Sequence, residues 1–265
     1  MNASLHNTDV RTLWLSDIHL GSKDCHAEAL LQFLQTIRCD RLYLVGDIVD
    51  MVALKNRMYW PKTHAEVLKF IYQLANSTTE VIYIPGNHDM PMRFYDSGML
   101  LNVKLHKQYI HTTRLGKKLL VLHGDEFDHA VLYRTMNRLI GSQAYNLMVL
   151  LNRTLHRLRR LAGLPYWSFA NYLKENISQA RRAIETFEKA AVAEARQRNL
   201  DGVVCGHIHK PQLRQIGKTL YCNDGDWTES CSALVEKHCG NLELLDWNKI
   251  QALIATPAQS ILKAA

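Results

Sequence analysis

Long apolar runs are missing from this chain of 265 residues. The longest, Leu147 to Leu151, has five residues, far fewer than the ~18 that a membrane-spanning helix needs. The amino terminus has neither a basic nor an apolar segment, so we expect no secretory leader. The six cysteines are scattered and form no C-x-x-C pair. We therefore predict free thiols in a reducing cytoplasm.

Acidic residues are scarce in one part of the chain only. The net charge is +7. The whole excess of positive charge lies between Phe127 and Arg182, a segment with nine Lys or Arg and only two acidic residues, Asp128 and Glu175. This segment predicts a local anionic partner, which is a phosphorylated substrate, an acidic lipid surface or nucleic acid. Nucleic acid is the weakest of the three, because the segment is as apolar as it is basic and offers few aromatic rings for stacking.

Short β-like runs alternate with helical patterns over the first two hundred residues, and close-spaced strands follow residue 210. This order predicts an α/β core followed by an antiparallel β portion. Helices are expected over His26–Ile37, with Asp24 as the cap, and over Lys62–Ala75. The expected strands are Val10–Ser16, Arg41–Val45, Val81–Pro85, Lys118–Leu122, Gly202–Cys205, Thr219–Cys222, Ser232–Glu236 and Leu242–Leu245.

A helical insertion interrupts this rhythm. We divide the chain into a core at 1–126 and 200–248, an insertion at 127–199 and a tail at 249–265. A long amphipathic helix or helix pair at 129–161 combines an apolar stripe with a basic face, and a second helix is expected from Ser168 to Arg198. The first pattern is typical of a lid over an amphiphilic ligand or of a helix on an anionic membrane surface. We therefore expect a cytoplasmic protein, and the second of these interpretations would place it peripherally on a membrane surface.

Polar clusters follow five of the predicted strands, and four of these clusters contain a glycine. Ligands of α/β proteins collect at the carboxyl ends of strands, and glycine permits the tight turn that points a side chain into the cleft. The five clusters are Ser16-Asp17-Ile18-His19, Gly46-Asp47-Ile48-Val49-Asp50, Gly86-Asn87-His88-Asp89, His123-Gly124-Asp125 and Gly206-His207-Ile208-His209.

The spacing within these clusters predicts metal ligands. Asp17 and His19 stand two positions apart, as do His207 and His209, and an extended backbone would place each pair on one face, roughly 6–7 Å apart. Two imidazoles so placed reach two metals about 3.5–4 Å apart, and the Asp47 carboxylate is the natural bridge. Imidazole, carboxylate and amide ligands suit Mn, Fe, Zn or Ni better than Mg or Ca, and we expect two divalent ions, Mn²⁺ first.

The ordered motifs D-x-H, G-D-x-x-D, G-N-H-D, H-G-D and G-H-x-H resemble those of the calcineurin-like metallophosphoesterase superfamily, from residue 17 to 209. The resemblance implies a four-layer α/β/β/α sandwich with a dinuclear metal centre. It also implies that His88 faces the phosphate and leaving group, with Asp89 orienting it and Asn87 helping to stabilise charge. The implied ligands of the first metal are Asp17, His19, Asp47 and His209, and those of the second are Asp47, Asn87, His123 and His207.

Within the superfamily the chain resembles the bacterial UDP-2,3-diacylglucosamine diphosphatases of lipid A synthesis, because it shares their length and a helical insertion between H-G-D and G-H-x-H. It differs from them at His88, where their motif has arginine, and at Ile208, where they have threonine. The resemblance implies hydrolysis of a nucleotide-sugar-lipid diphosphate. Two alternatives stay open: a phosphomonoesterase or phosphodiesterase acting on a soluble nucleotide or phosphoprotein, and a catalytically weak scaffold that binds a membrane or a partner.

Several further residues are candidates for supporting roles. Asp125 is either a hydrogen-bond acceptor for the second nitrogen of a ligating imidazole or a turn residue. Asp50 is expected either to stabilise the loop or to hydrogen-bond to a metal ligand. Arg134 and Arg138 lie close in sequence to the metal loops and are candidates for binding substrate phosphate. Arg157 is a candidate for contacting a diphosphate or an anionic headgroup.

Overall fold

The computed structural model describes residues 8–129 and 178–252. Its helices include α1 (Ala27–Thr36), α2 (Met51–Asn56), α3 (Lys62–Ala75) and α4 (Ser178–Gln197), and a further helix begins at residue 247. Two 3-10 turns cover Met90–Tyr95 and Asp125–His129. The strands are β1 (Thr8–Leu15), β2 (Ile37–Val45), β3 (Glu80–Ile84), β4 (Met99–Leu100), β5 (Val103–Leu105), β6 (Tyr109–Thr112), β7 (Lys118–Val121), β8 (Gly202–Cys205), β9 (Gln212–Ile216), β10 (Thr219–Asn223), β11 (Ser232–Glu236) and β12 (Leu242–Asp246).

The strands form two mixed sheets. The first has seven strands in the order β12-β11-β1-β2-β3-β5-β4, with β1, β2, β3 and β5 parallel and both outer pairs antiparallel. The second has five strands in the order β6-β7-β8-β10-β9, with β7, β8 and β10 parallel. The ends of β1, β2 and β3 therefore meet at one edge of the first sheet, and the ends of β7 and β8 meet at one edge of the second.

The hydrophobic core lies between the two sheets. One cluster joins Trp14, Tyr43 and Ile82 of the first sheet to Val121 and Val204 of the second, and all five side chains are fully buried. Helices α1 and α3 pack against each other, with apolar faces that include Leu30, Phe33, Val67 and Ile71. The chain thus folds as the α/β sandwich of two mixed sheets that its sequence predicts.

Most predicted elements are confirmed, with differences at their ends. Helix α3 has the predicted bounds, but the residue before α1 is His26, with no side-chain capping bond, so Asp24 is not its cap. Four short strands, β4, β5, β6 and β9, were not predicted. The basic helix at 129–161 and the start of the second inserted helix fall in residues 130–177, outside the described part of the chain.

The chain divides into two compact units. Among the described residues, the first unit contains 8–125 and 192–247, and the second contains 126–129, 178–191 and 248–252. In the second unit Phe127 and Phe187 pack edge to face, with ring centroids 5.6 Å apart. All five polar clusters belong to the first unit. No helix within the described ranges is long and apolar enough to cross a membrane.

Candidate metal centre

Backbone hydrogen bonds tie the polar clusters together at the strand ends. The amide of Asp17 donates to the carbonyl of Gly46 (3.0 Å) and the amide of His19 donates to that of Asp47 (2.8 Å), which joins the loops after β1 and β2. The amide of Gly206 donates to the carbonyl of His123 at 3.1 Å, which joins the loops after β7 and β8. The loops therefore hold fixed positions relative to each other within each sheet.

The ligand residues do not have the extended backbone that their two-residue spacing predicts. Asp17, His19, Asp47, His207 and His209 all have positive φ angles, between 49° and 68°. This left-handed conformation is unfavourable for residues with a Cβ and concentrates at functional sites. The side chains within each pair converge because the backbone turns at each residue, not because of strand alternation.

One group of possible ligand atoms comes from Asp17, His19 and His209, and these atoms lie within 4.8 Å of one another. Nε2 of His209 is 3.1 Å from Oδ1 of Asp17, and Nε2 of His19 is 3.9 Å from the same oxygen. The other Asp17 oxygen accepts a hydrogen bond from the amide of His207 at 2.8 Å. Asp17 thus links the β1 loop to the β8 loop across the two sheets.

Asp47 lies at the centre of the site. Its Oδ2 is 3.5 Å from Nε2 of His123, 3.8 Å from Nε2 of His19 and 4.0 Å from Nε2 of His88. Its Oδ1 accepts a hydrogen bond from the amide of His88 at 2.8 Å. Asp47 belongs to two further groups of close ligand atoms, one with His19 and His88 and the other with Asp17 and His123.

Asn87, His123 and His207 lie on the other side of Asp47. Oδ1 of Asn87 is 3.3 Å from Nε2 of His123, and the rings of His123 and His207 lie 5.1 Å apart. Nδ1 of His123 is 2.9 Å from the carbonyl of Val45, so its Nε2 is the nitrogen that faces the site. The structure therefore brings together all seven residues expected to bind metal.

Asp50 contacts two imidazoles at once. Its Oδ2 is 3.1 Å from Nδ1 of His19 and its Oδ1 is 2.9 Å from Nδ1 of His88. Oδ1 also accepts from the amide of Ala53 at 2.7 Å, which caps helix α2. Asp50 thus orients both rings so that each Nε2 points toward Asp47.

Asp89 has different partners from the one expected. Its carboxylate accepts hydrogen bonds from the amides of Gly86 and Ile48 and from the hydroxyl of Tyr83. The carboxylate at Nδ1 of His88 is that of Asp50. The expectation that Asp89 orients His88 is therefore corrected: because Asp89 is buried beneath the loop, it fixes the backbone that carries Asn87 and His88.

Asp125 is also engaged away from the imidazoles. It forms an ion pair with Nη2 of Arg93 at 2.5 Å, and Arg93 donates to the carbonyl of Pro85 at 3.1 Å. This contact connects the loop after β7 to the loop after β3. The prediction that Asp125 accepts from a ligating imidazole does not hold for His123, because Nδ1 of His123 faces the carbonyl of Val45.

The buried carboxylates of the site lie beside imidazoles that favour their ionised form. Burial by itself would raise the pKa of Asp17 and of Asp47, but His209 holds the first pKa well below its usual range and His123 does the same for the second. Burial likewise opposes protonation of His123, yet Asp47 raises its pKa well above the usual value. Divalent cations would also supply positive charge beside these carboxylates, and the imidazole and carboxylate donors are those that transition metals prefer.

Glycines leave room for the ligands at two close approaches. A Cβ on Gly86 would lie 2.2 Å from Oδ1 of Asp47, and one on Gly206 would lie 2.3 Å from Oδ2 of Asp17. Neither position has a positive φ, so glycine is needed there for space, not for backbone conformation. The motif glycines thus allow the ligand carboxylates to approach the backbone of neighbouring loops.

A group of residues behind His209 was not predicted from the sequence. Nδ1 of His209 is 3.4 Å from Oγ1 of Thr228, which donates to Asp226 at 2.9 Å. Burial would raise the pKa of Asp226, but His209 and local donors hold it below its usual value. The signal in the sequence was the polar run Asn223-Asp-Gly-Asp226 at the end of β10, which repeats the pattern of the other strand ends.

The three arginines expected to bind substrate, Arg134, Arg138 and Arg157, lie outside the described residues.

Comparison with known proteins agrees with this geometry. Residues 10–211 match the model of the calcineurin-like phosphoesterases, and the chain belongs to that family. It is a metallophosphoesterase by family, with buried His and Asp clusters that could hold metal ions.

Its relatives include UDP-2,3-diacylglucosamine hydrolases. The chain is 24% identical over 236 residues to the hydrolase of Psychromonas ingrahamii, covering 84% of this chain and 92% of that protein. It is 26% identical over 223 residues to that of Salmonella typhimurium, covering 77% and 84%. Among solved structures, a hypothetical protein of Pyrococcus horikoshii shares the fold, with a TM-score of 0.50 and 10% identity over 90% of this chain and 88% of that one.

Proposed function

We propose that this protein is a dinuclear-metal phosphohydrolase that cleaves a pyrophosphate bond in a nucleotide-sugar-lipid of the UDP-2,3-diacylglucosamine type. The observation that carries the reaction class is the position of Asp47, with one carboxylate oxygen between Nε2 of His19 and Nε2 of His123 at 3.8 and 3.5 Å. A carboxylate between two sets of imidazoles is suited to bridging two cations.

The described side chains divide naturally into two ligand sets that share Asp47. Asp17, His19 and His209 would hold one ion, and Asn87, His123 and His207 would hold the other. When bound, two divalent ions, with Mn²⁺ as the expected species, supply the positive charge that activates water and neutralises phosphate oxygens. The chain's own contribution is to fix the ligands in advance, through Asp50 at His19 and Asp226 with Thr228 behind His209.

His88 is proposed as the proton donor to the leaving oxygen. Its side chain is 31% exposed, against 10% for His19 and none for His123, so a substrate can reach it. Its Nδ1 is held by Asp50, so its Nε2, which lies 4.0 Å from Oδ2 of Asp47, faces the metal centre. Burial opposes protonation, but the hydrogen bond to Asp50 raises the pKa of His88, which favours the acid form that proton donation requires.

The substrate assignment is supported by the relatives that carry the name UDP-2,3-diacylglucosamine hydrolase and cover most of the chain. The proposed lid, 127–199, would hold the acyl chains, and its arginines 134, 138 and 157 would contact the diphosphate. A lipid-linked substrate also fits the proposed position at the cytoplasmic face of the inner membrane.

Two measurements test the proposal. The Mn²⁺-loaded protein should hydrolyse bis-p-nitrophenyl phosphate, chelator should abolish this activity, and Asn87→Ala and His123→Ala should each lower kcat/KM by at least about 100-fold, by analogy with losses of preorganised charge stabilisation. His238→Ala is the matched control because His238 is half exposed and lies at the β11–β12 turn, outside the polar clusters. Full activity in the Asn87 and His123 variants would contradict the hypothesis that the site binds two metal ions.

The second measurement concerns the substrate. UDP-2,3-diacylglucosamine should be cleaved to UMP and a lipid phosphate, and its de-acylated analogue should be cleaved much more slowly. Equal rates on the two compounds would contradict the proposed binding of acyl chains by the lid and would indicate a phosphodiesterase that acts on soluble substrates.

A further inference from the structure

Exposed apolar side chains are concentrated in one short segment of the first unit. Of eleven large apolar residues exposed within the described ranges, six fall between positions 90 and 101. Phe94 is 89% exposed and Leu101 is 65% exposed. Scattered exposed apolar residues are ordinary, whereas a contiguous group marks an interaction site. We name this group the apolar strip: Met90, Phe94, Tyr95, Met99, Leu100 and Leu101.

The apolar strip connects the candidate metal centre to the edge of the first sheet. It begins directly after Asp89, in the loop that carries Asn87 and His88, and continues through the 3-10 turn into β4. Strand β4 is the last strand of its sheet and pairs only with β5 among the described strands. Both of its residues are exposed although they point to opposite faces. Within the described part of the chain, neither face of the sheet is covered at this corner.

The tip of the strip has an unusual sequence for its backbone. Leu100 pairs with Val103, and the two residues between them, Leu101 and Asn102, have φ angles of 51° and 64°. Positive φ at both central positions is the type I′ hairpin turn, in which Asn and Gly are strongly preferred. Leucine is disfavoured there by its Cβ and gains no burial in exchange. Its presence is explained if the exposed side chain inserts into something else.

The charges around the strip favour an anionic partner. The segments 51–62 and 90–107 contain six Lys or Arg and one carboxylate, Asp96. The amide of Met51 donates to the carbonyl of His88 at 3.1 Å, which brings the first segment against the start of the second. Three of the six cations are exposed and have no ion-pair partner within the described part of the chain: Lys55, Arg57 and Lys107.

We propose that the apolar strip docks this protein on the surface of an anionic lipid bilayer. Exposed aromatic, Met and Leu side chains beside Lys and Arg are the combination that binds the interface of such a bilayer. A second copy of the chain is a poorer occupant, because it would bring two groups of like charge together. The inference deepens the proposed function, on which it rests for its purpose: a strip that begins beside Asp89 would hold the metal centre near a membrane-resident diphosphate.

Vesicle sedimentation with the full chain tests this. The probes are vesicles of phosphatidylcholine alone and of phosphatidylcholine mixed equally with phosphatidylglycerol, without substrate. The test variant is Phe94→Ser with Leu101→Asn, and asparagine suits the left-handed position, so folding should not suffer. The matched control is Ile110→Ser with Leu115→Asn, since Ile110 is 50% exposed and Leu115 has the same 65% exposure as Leu101 and lies in the turn between β6 and β7.

The wild type and the control variant should sediment with the anionic vesicles, more weakly with phosphatidylcholine alone. The test variant should lose at least about tenfold in partition coefficient, as expected for removing two apolar side chains from the interface. Equal binding by both variants, or no binding by the wild type, overturns the proposal. So does a wild-type dimer in light scattering that the test variant abolishes, because the strip would then be a contact between copies.

Activity toward bis-p-nitrophenyl phosphate separates this inference from the proposed function. The test variant should retain wild-type kcat/KM on that soluble compound, since Phe94 and Leu101 are largely exposed and neither is an expected metal ligand or catalytic residue. Loss of vesicle binding with retained hydrolysis supports the docking surface. Normal vesicle binding by a protein without phosphohydrolase activity contradicts the proposed function and leaves the docking surface standing.

Discussion

Replacing Gly86 with alanine tests whether the Asp47 carboxylate must stay where the structure places it. The added methyl would lie 2.2 Å from Oδ1 of Asp47 and 2.8 Å from both the Asp47 amide nitrogen and Cδ2 of His123. Non-bonded contacts to carbon normally begin near 3.5 Å, so the carboxylate must retreat by about 1 Å. A retreat of that size breaks its hydrogen bond with the amide of His88 (2.8 Å) and moves the bridge between the two ligand sets.

A misplacement of about 1 Å can cost roughly 100-fold in rate, and overpacking costs about 1–3 kcal/mol of stability. We therefore expect Gly86→Ala to fold, to bind Mn²⁺ more weakly in calorimetry, and to lose about 100-fold in kcat/KM on bis-p-nitrophenyl phosphate. Gly116→Ala is the control, because its φ of +79° strains the alanine while nothing lies within 4 Å of the new methyl. It should lose stability but not activity. Wild-type activity and Mn²⁺ affinity in Gly86→Ala would refute the reasoning.

Three further changes probe neighbouring parts of the structure. Asp50→Asn should keep the cap of α2, because asparagine also caps helices, yet lower kcat/KM by about 10–100-fold; unchanged kinetics would show that the two imidazoles need no carboxylate. Thr228→Val should weaken Mn²⁺ affinity at His209 by about tenfold, measured by calorimetry, with little change in unfolding midpoint. Burial would raise the pKa of Glu236, but the hydrogen bond from His111 and those from the other donors lower this pKa to about 2. The ionised Glu236 therefore stabilises the fold above the unfolded-state pKa of 4.5, and this stabilisation is lost as the pH falls toward 2. Glu236→Gln should remove up to about 3 kcal/mol of that acid dependence, as seen in urea unfolding at several pH values.

The regular part of the fold was predictable because the apolar periodicity of a helix or strand, and the residues that end it, are visible within a short stretch of sequence. Eight strands, among them β1, β2 and β11, were predicted to within a few residues. The missed strands β4, β5, β6 and β9 are short, and their burial is mixed or exposed. A strand such as Met99–Leu100 exists because β5 offers it a partner, and no local pattern in two residues can reveal that.

The members of the site were predictable from residue type, but their mutual orientation was not. Each cluster follows a strand, so the motifs bring the right side chains to one place. Which carboxylate contacts which imidazole depends on distances between loops. Asp89 follows His88 directly in the chain, whereas Asp50 belongs to another cluster. Only the fold shows that Asp50 holds the ring and Asp89 the backbone. Thr228 was missed because it acts through His209 and carries no motif of its own.

The left-handed ligands explain why the centre depends on the whole sandwich. Five of the expected metal ligands have positive φ, and at roughly 1–2 kcal/mol each their combined cost approaches the total stability of a typical domain. Isolated loops could not hold this conformation. It persists because the amides of Asp17 and His19 donate to the neighbouring loop and because the strands that carry the loops are fixed by the buried layer between the sheets. The ligands are therefore prearranged by packing, and a cavity in that layer, for example at Trp14 or Tyr43, should loosen the metal site before it unfolds the chain.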